Sequence, residues 1–319
     1  MDGTGNFYGV HSVTLYVDSV QVFRSVTDEV SPDENRMING FTDYEELMKN
    51  RRLIMRSHKL PGNKLRLLHT DENRGLVTID EERDYRFMYV LEDNFGNRKK
   101  YRFTVRGRKQ EIPEMKNDSC KMLCWNRTNV IQEPGMEFVI PRGMLYDDAP
   151  LRTAVAGDSS NLSFEYTLDA RHTPLHGFCQ LAIGIRNDTL ADKSKYYIRN
   201  RVGKWTSSVG GKYNNGWMKA DIRQWGNFSV AVDTIAPNVT PIGQNLWRTR
   251  RDIRFRVSDG QTGIASYKVL IDGKFVLFAL KKGVLIIQDP DKVKKGVPHT
   301  AEVIVADNCG NVTRKQYKF

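Results

Sequence analysis

The sequence has 319 residues, is poor in cysteine and histidine and contains no long hydrophobic run. Four Cys in 319 residues are too few for a disulfide-rich scaffold. The longest apolar runs, such as Val284–Ile287, are far shorter than the roughly 18 residues of a membrane-spanning helix. The first residues lack the charged and apolar regions of a secretion signal, so we predict neither a signal peptide nor a membrane span in this chain.

Signatures of hydrolases and nucleotide-binding enzymes are missing too. The sequence has no His-x-His, His-Glu-x-x-His, Gly-x-Ser-x-Gly or Walker-type motif. His172 and His176 form the only close histidine pair, and Pro174 between them prevents the regular helix that would place both rings on one side. We therefore predict that this chain has no catalytic residue, no metal ligand and no cofactor.

The cysteines allow one alternative. Cys120, Cys124 and Cys179, with or without His176, provide the residue types of a Cys₃ or Cys₂His zinc site. However, three residues separate Cys120 from Cys124, whereas ribbon and knuckle sites use two. The spacing favours free thiols or a single Cys120–Cys124 disulfide.

An internal repeat is the strongest positive signal. DNFGN at Asp93–Asn97 recurs as DNCGN at Asp307–Asn311, and each copy follows an alternating, strand-like run. Upstream, residues 8–19 align with residues 262–273. In such loops Asn and Gly accept positive φ and Asp holds the turn, so the predicted role is structural. The predicted turn residues are Asp93, Gly96, Asn97, Asp307, Gly310 and Asn311. Cys309 replaces Phe95 and is expected to fill a small apolar space.

The alternating apolar pattern predicts an all-β fold of tandem immunoglobulin-like β-sandwich modules. Pro113 and the run from Asp233 to Pro237 suggest linkers, which gives modules at 1–109, 110–236 and 237–319. The first module carries about 40 extra residues relative to the last. Within them a capping box starting at Thr42 predicts one short helix near residues 43–51.

The two copies of the repeat also differ at their beginning. In the last copy the strand Ile253–Val257 precedes the aligned region, whereas only seven residues precede it in the first copy. We expect the corresponding strand of the first module to lie before Met1, and this chain to begin inside a domain of a longer protein.

Two groups of residues are candidates for binding. The aromatic residues of the middle module could form a platform for sugar rings, or could instead close the ends of a sandwich core. The basic residues of the last module could bind anions, or could be a solvated surface. The candidates are Trp205, Tyr213, Trp217, Trp225, Arg248, Arg250, Arg251, Lys281 and Lys282.

Charge is distributed unevenly over the three predicted modules. The chain has a formal net charge of +11, of which +2 belongs to residues 1–109, +1 to 110–236 and +8 to 237–319. No nucleic-acid-binding motif accompanies the basic residues, so we predict no nucleic-acid partner. The last module suits an anionic cell-surface polymer.

Several runs resemble a known family. YGVHSVTLYVDSVQVF, FTDYEELMKNRRLIMRS, NRGLVTIDEERDYRFMYVLEDNFGN, KYYIRNRVGKW and GGKYNNGWMKADIRQWGNFSVAVDTIAP are similar to the region after the catalytic domain in secreted lysostaphin-type zinc metallopeptidases (family M23) of Gram-negative gut bacteria. The resemblance extends over essentially the whole chain. The family's zinc ligands, a His and Asp pair and a His-x-His, have no counterpart here, so no catalytic residue is carried over.

The resemblance implies a non-catalytic accessory region that positions a peptidase domain at the cell wall. Zinc would belong to that peptidase domain, which is absent from this chain. The implied location is the periplasm or cell envelope, and the implied partners are the peptidase domain and peptidoglycan. The alternative from the residues themselves is a carbohydrate- or cell-wall-binding module acting through exposed aromatics.

Overall fold

The computed structural model describes residues 10–110, 120–157 and 161–319. Strands dominate, and the prediction of an all-β fold is confirmed. The buried apolar residues form three separate clusters, one in each of the three modules. Within the described ranges, no helix is both long and apolar enough to cross a bilayer. The predicted linker at Pro113 and the aligned residues Tyr8 and Gly9 lie outside these ranges.

The first module contains one antiparallel sheet with the strand order β3-β2-β1-β4-β5. Its strands are β1 (Ser12–Val17), β2 (Val20–Val26), β3 (Leu68–Thr70), β4 (Asp84–Glu92) and β5 (Arg98–Arg106). Part of one face is covered by the segment between β2 and β3, from which Phe41 and Leu65 pack against Leu15 and Phe23. This module therefore differs from the predicted sandwich, because the inserted segment packs where a second sheet was expected.

The insertion contains a 3₁₀ helix, Asn35–Gly40, and the helix α1, Tyr44–Asn50. The predicted short helix is present, but its cap lies one residue later than expected. The Asp43 carboxylate accepts a hydrogen bond from the Glu46 amide at 3.1 Å, whereas the Thr42 hydroxyl donates to the Asn39 carbonyl. A carboxylate at this position also interacts favourably with the helix dipole.

The middle module is a sandwich of two antiparallel sheets, ordered β13-β12-β16-β10-β9-β6 and β14-β15-β11-β8-β7. Its strands are β6 (Lys121–Leu123), β7 (Asn129–Glu133), β8 (Met136–Ile140), β9 (Ala149–Ala156), β10 (Glu165–Asp169), β11 (Cys179–Gly184), β12 (Tyr196–Val202), β13 (Trp205–Gly210), β14 (Lys212–Asn214), β15 (Trp217–Ile222) and β16 (Gly226–Val232). Alternating residues from both sheets, such as Phe138, Ile198 and Phe228, are fully buried between them.

The last module is a second sandwich, with sheets ordered β17-β18-β22-β21 and β20-β19-β23-β24. Its strands are β17 (Asn238–Ile242), β18 (Arg254–Ser258), β19 (Ile264–Ile271), β20 (Lys274–Phe275), β21 (Phe278–Lys281), β22 (Val284–Ile287), β23 (Thr300–Asp307) and β24 (Val312–Lys318), with the short helix α2 at Trp247–Arg250. Trp247 is fully buried, with its ring edge-on to Phe255 and Phe319.

The sequence repeat corresponds to a structural repeat. The hairpin β1–β2 turns through Asp18 and Ser19, and β19–β20 turns through Asp272 and Gly273. All four residues have positive φ, between 47° and 78°, which is the backbone of a type I′ hairpin turn. An Asp followed by a small residue tolerates this conformation, and both hairpins use it.

Direct contacts join the first and middle modules. Arg36, in the insertion, donates hydrogen bonds to the His176 and Leu175 carbonyls at 2.8 and 3.0 Å. The Tyr146 hydroxyl donates to the Arg36 carbonyl at 2.9 Å and contacts His176 Nδ1 at 2.8 Å. The Gly62 amide donates to the Tyr146 carbonyl, and its close approach leaves no room for a Cβ atom at Gly62. The extra residues of the first module therefore form its interface with the middle one.

Candidate functional site

A groove of about 930 Å³ lies between the first and middle modules. Helix α1 forms one wall, and the six-stranded sheet with the loop after β10 forms the other. Polar and charged side chains alternate with aromatic rings along it. The lining residues that bear on its chemistry are Tyr44, Glu45, Lys49, Arg152, Asp169, Arg171, His172, Asn200, Trp205, Thr206, Ser207, Arg223, Gln224 and Trp225.

Trp205 is the most exposed large aromatic side chain of the groove, with 83% of its surface accessible. It begins β13, the edge strand of the six-stranded sheet, directly after the Gly203–Lys204 turn. An edge strand has only one neighbour to cover its side chains, so the indole lies open toward the groove. A flat, exposed indole offers an apolar face and one hydrogen-bond donor.

Two buried polar atoms, in residues that line the groove, have no hydrogen-bond partner in the described part of the chain. They are Asn200 Oδ1 and His172 Nε2, and the Asn200 side chain is only 2% exposed. Asn200 follows Tyr196 and Ile198 on the core-facing side of β12, where an apolar side chain would be expected. A buried polar atom without a partner costs about 1–3 kcal/mol. A ligand hydroxyl group that reaches either atom would remove that cost.

Asn200 also depends on its neighbour in the sheet. A Cβ atom at Gly226 would lie 2.0 Å from Asn200 Oδ1, so only glycine leaves space for this amide. Sequence reasoning did not identify Asn200, although the alternation Tyr196-Ile198-Asn200 carries the signal. An amide in a core-facing register is a recognisable exception to the apolar pattern.

The charges of the groove are predominantly positive. Four basic and two acidic side chains line it, and one pair is internally neutralised, because Arg171 donates two hydrogen bonds to Asp169 at 2.9 and 3.0 Å. These bonds hold the pKa of the Asp169 carboxyl below its usual range. Arg223 packs over the Phe178 ring, 4.7 Å from its centroid. The remaining positive charge favours a ligand that bears carboxylate or similar anionic groups.

The predicted aromatic candidates separate into two places. Trp205 and Trp225 line the groove, although Trp225 is only 6% exposed and donates its indole hydrogen to the Thr173 carbonyl at 2.7 Å. Tyr213 stacks on Tyr196 and donates to the Asp188 carboxylate. Trp217 lies on β15 in the other sheet. A platform containing all four rings is therefore not formed.

The basic candidates of the last module are also divided. Arg248 donates to the Gly296 carbonyl at 2.8 Å, and Arg251 pairs with Asp291 at 3.0 Å, so both hold the loop before β23. Arg250 ends helix α2, and Lys281 and Lys282 lie at the turn between β21 and β22. Arg248 and Arg251 therefore make structural contacts.

All four cysteines are free in the structure. Cys179 and Cys309 are buried, and burial raises the pKa of Cys179 to about 12 and that of Cys309 to about 11. His176 Nδ1 contacts the Tyr146 hydroxyl. Among the described residues, the Cys and His side chains considered as zinc ligands do not form a metal-binding group.

A carboxylate cluster lies at the junction of the middle and last modules. One ligand oxygen from each of Asp233, Asp259 and Asp307 lies within 4.8 Å of the others, and Asp233 and Asp307 are buried. Such oxygens are the ligands that Ca²⁺ and Mg²⁺ prefer. Each carboxylate also accepts hydrogen bonds from the protein, including one from the Thr262 hydroxyl to Asp233 at 2.6 Å.

Comparisons with known protein families give a match for only part of the chain. Residues 120–233 match the model of the Zu5-like domain, so the middle module is similar to that domain. No curated protein matches the chain. Among solved structures, one similar chain belongs to a Ca²⁺-stabilized adhesin with which an Antarctic bacterium binds ice. It has 11% identity and a TM-score of 0.16 over 98% of this chain and 89% of that one. A second, from a 1.5-MDa bacterial ice-binding adhesin studied for host cell surface retention, has the same identity and TM-score over 98% and 86%.

Proposed function

We propose that this chain is a non-catalytic binding region whose groove takes a saccharide of the cell surface or cell wall. The observation that carries the proposal is the placement of exposed Trp205 beside two buried polar atoms without partners, Asn200 Oδ1 and His172 Nε2. A sugar ring has an apolar face for an indole and hydroxyl groups for unpartnered polar atoms. The match of residues 120–233 to a Zu5-like domain is in keeping with a binding module.

The excess of basic groups in the groove favours an acidic saccharide as the ligand. Lys49, Arg152 and Arg223 line the groove together with one acidic residue, Glu45, whereas the fourth basic residue, Arg171, is already paired with Asp169. Peptidoglycan and other envelope polymers that carry carboxylates have this chemistry. Their attraction to the groove falls as salt screens the charges, over a Debye length of about 8 Å at physiological ionic strength.

A pull-down on purified sacculi tests this proposal. Trp205→Ala is expected to reduce retention at least about tenfold, the loss of roughly 1.4 kcal/mol. Trp217→Ala is the matched control, because Trp217 is also a partly exposed tryptophan of the middle module but lies on the other sheet. Equal retention of wild type and Trp205→Ala, or an equal loss in Trp217→Ala, would contradict the assignment of the groove.

We propose, as a second role, that the chain positions a peptidoglycan-directed zinc endopeptidase domain in the cell envelope. The resemblance to lysostaphin-type metallopeptidases supports this role, and so does the direct hydrogen bonding between adjacent modules, such as Arg36 to His176. A muropeptide digest with this chain alone is expected to release nothing. Release of muropeptides by the purified chain with no added peptidase would contradict the non-catalytic role.

A further inference from the structure

The two faces of the first module's sheet differ in their chemistry. On β4, Phe87 and Tyr89 lie on the side of the insertion, where the Tyr89 hydroxyl contacts the Ser57 hydroxyl at 2.7 Å. Successive side chains of a strand point to opposite faces. Arg86 on β4 and Arg102 on β5 therefore lie on the other side of the sheet, away from the insertion.

This outward side collects basic residues from three strands. Arg86 lies on β4, Lys100 and Arg102 lie on the edge strand β5, and all three are exposed. Arg24 on β2 lies in the same cross-strand row as Lys100, with one residue each of β1 and β4 between them. We call these four residues the basic face.

The module's small net charge hides this concentration. Residues 84–106, which comprise β4, β5 and the turn between them, contain six basic and three acidic residues. The whole first module has a net charge of only +2, because its other acidic residues lie mainly in the segments between β2 and β4. The basic and acidic residues of this module are therefore separated in space.

No carboxylate neutralises the basic face. Within the described ranges, the ion pairs of the first module involve none of its four side chains. Glu92, on the same side of β4, pairs instead with Arg98 at 3.2 Å. Asp84 lies opposite Arg106 in the register of β4 and β5. The Arg24 Nε atom is buried without a hydrogen-bond acceptor, so a bound anion would supply an acceptor that the protein lacks.

The repeat offers an internal comparison. In the last module Arg314 donates to Glu302 at 2.9 Å across β23 and β24. Counted from the aspartate of each DNxGN turn, these residues correspond to Lys100 and Met88. The first module thus keeps the basic residue and lacks the acidic one. The shared fold does not require an uncompensated charge at this position.

We propose that the basic face binds an anionic polysaccharide, at a site separate from the groove. The four cations spread over four neighbouring strands, which lie about 5 Å apart, so a polymer that carries several anionic groups meets several cations at once. The groove lies at helix α1, in the insertion on the opposite side of the sheet. The basic face therefore acts independently of the groove.

The chemistry of this face favours a polysaccharide over other polyanions. Single-stranded nucleic acids bind through aromatic rings that stack on bases, and the rings of Phe87 and Phe103 lie on the insertion side. A bilayer surface would engage exposed apolar side chains, whereas Met88 and Val90, the apolar residues of β4 on the basic side, are half-buried. Hydroxyl-rich polymers with anionic groups need neither feature.

Binding of a fluorescent heparin oligosaccharide, which carries sulfate and carboxylate groups, to the 319-residue chain tests the proposal. The variant Arg86→Gln/Lys100→Gln/Arg102→Gln is expected to bind at least about tenfold more weakly, with a shallower dependence on salt, because fewer counterions are released. The matched control, Lys268→Gln/Lys274→Gln/Lys281→Gln, removes three exposed lysines of the last module and should stay within about twofold of wild type. Both variants should keep the melting temperature of wild type.

Three outcomes would overturn the proposal. An equal loss in both triple variants would show that binding follows net charge alone. A loss in Trp205→Ala without a loss in the Arg86 triple variant would place heparin in the groove. Tighter binding of single-stranded DNA, or of vesicles that contain an acidic phospholipid, with a loss in the same triple variant, would assign the basic face to a different partner.

Discussion

The side chain of Asn311 joins the last module to the end of the middle one. Its amide donates one hydrogen bond to the Asp233 carbonyl at 3.0 Å and another to the Asp307 carboxylate at 2.7 Å. The side-chain amide of Asn97, the corresponding residue of the first module, donates within its own turn, to the Asp93 carboxylate at 2.8 Å. A comparison of the two asparagines therefore separates two contributions to stability: that of the turn itself and that of the junction between the middle and last modules.

Asn311→Ala is expected to lower the free energy of unfolding of the last module by about 1–3 kcal/mol, because it leaves buried acceptors without their donor. Asn97→Ala, at an exposed turn, is expected to cost less than about 1 kcal/mol. Urea denaturation of both variants measures the difference. Equal losses would show that the contact with Asp233 adds nothing to the junction.

Tyr146→Phe is expected to weaken the contact between the first and middle modules. The hydroxyl is shared between the Arg36 carbonyl and His176 Nδ1, and Tyr146 is only 2% exposed. Its removal should cost about 1–2 kcal/mol and increase hydrogen exchange at Gly62, whose amide donates to the Tyr146 carbonyl. Tyr101→Phe, at a half-exposed tyrosine, is the control and should leave both measurements unchanged.

The pair His299 and Asp272 is expected to make stability depend on pH. Burial disfavours the charged ring, but its hydrogen bonds to Asp272 at 2.5 Å and to the Lys294 carbonyl at 2.8 Å outweigh this, and the pKa of His299 is raised. The hydrogen bond from His299 lowers the pKa of Asp272. The contribution of His299 is complete below its unfolded pKa of about 6.5 and is lost as the pH rises through the higher folded value.

The contribution of Asp272 has the opposite sign. It is present above the unfolded pKa of about 3.9 and is lost as the pH falls through the lower folded value. His299→Gln should therefore reduce stability at about pH 5.5 more than at about pH 8.5, by up to about 1 kcal/mol, because the Asp272 side chain is half exposed. Urea denaturation of both proteins at the two pH values measures this. A pH-independent loss would contradict the ion pair.

The cysteines are expected to react with thiol reagents in two classes. Cys120 and Cys124 are partly exposed, whereas burial raises the pKa of Cys179 and Cys309. Because the thiolate is the reacting form, a disulfide reagent at about pH 8 should modify two thiols rapidly and the other two only after unfolding. Mass spectrometry of labelled peptides identifies them. Rapid labelling of Cys309 would show that the junction at Lys195 opens readily.

Local patterns in the sequence predicted much of the fold. The alternation at Val13, Leu15 and Val17 is typical of a strand, and the alignment of residues 8–19 with 262–273 indicated that the two ends of the chain share one plan. The strand pattern depends only on neighbouring residues and on backbone preferences. Helix α1 shows how precise such patterns are. The helix itself was predicted, but its N-cap is Asp43 and not Thr42, one position earlier.

The candidate site was harder to predict because it depends on contacts between distant residues. Trp205 and Trp217 are close in sequence but lie on different sheets of the sandwich. The groove needs α1 of the first module beside Asn200 and Trp205 of the middle one, and no local pattern encodes that proximity. The bonds of Arg36 to His176 and Leu175 likewise join residues about 140 positions apart.

The contacts at Asp233 have an electrostatic consequence. The last module carries +8 of the chain's +11 formal charge, and Asn311 and Thr262 fasten it to the residue that ends the middle module. A charge excess held at a fixed angle to a neighbouring domain creates a field with a constant direction. This field would attract an approaching polyanion along that direction. The junction at Asp233 would therefore influence the orientation in which a polyanion meets the protein, in addition to the stability of the fold.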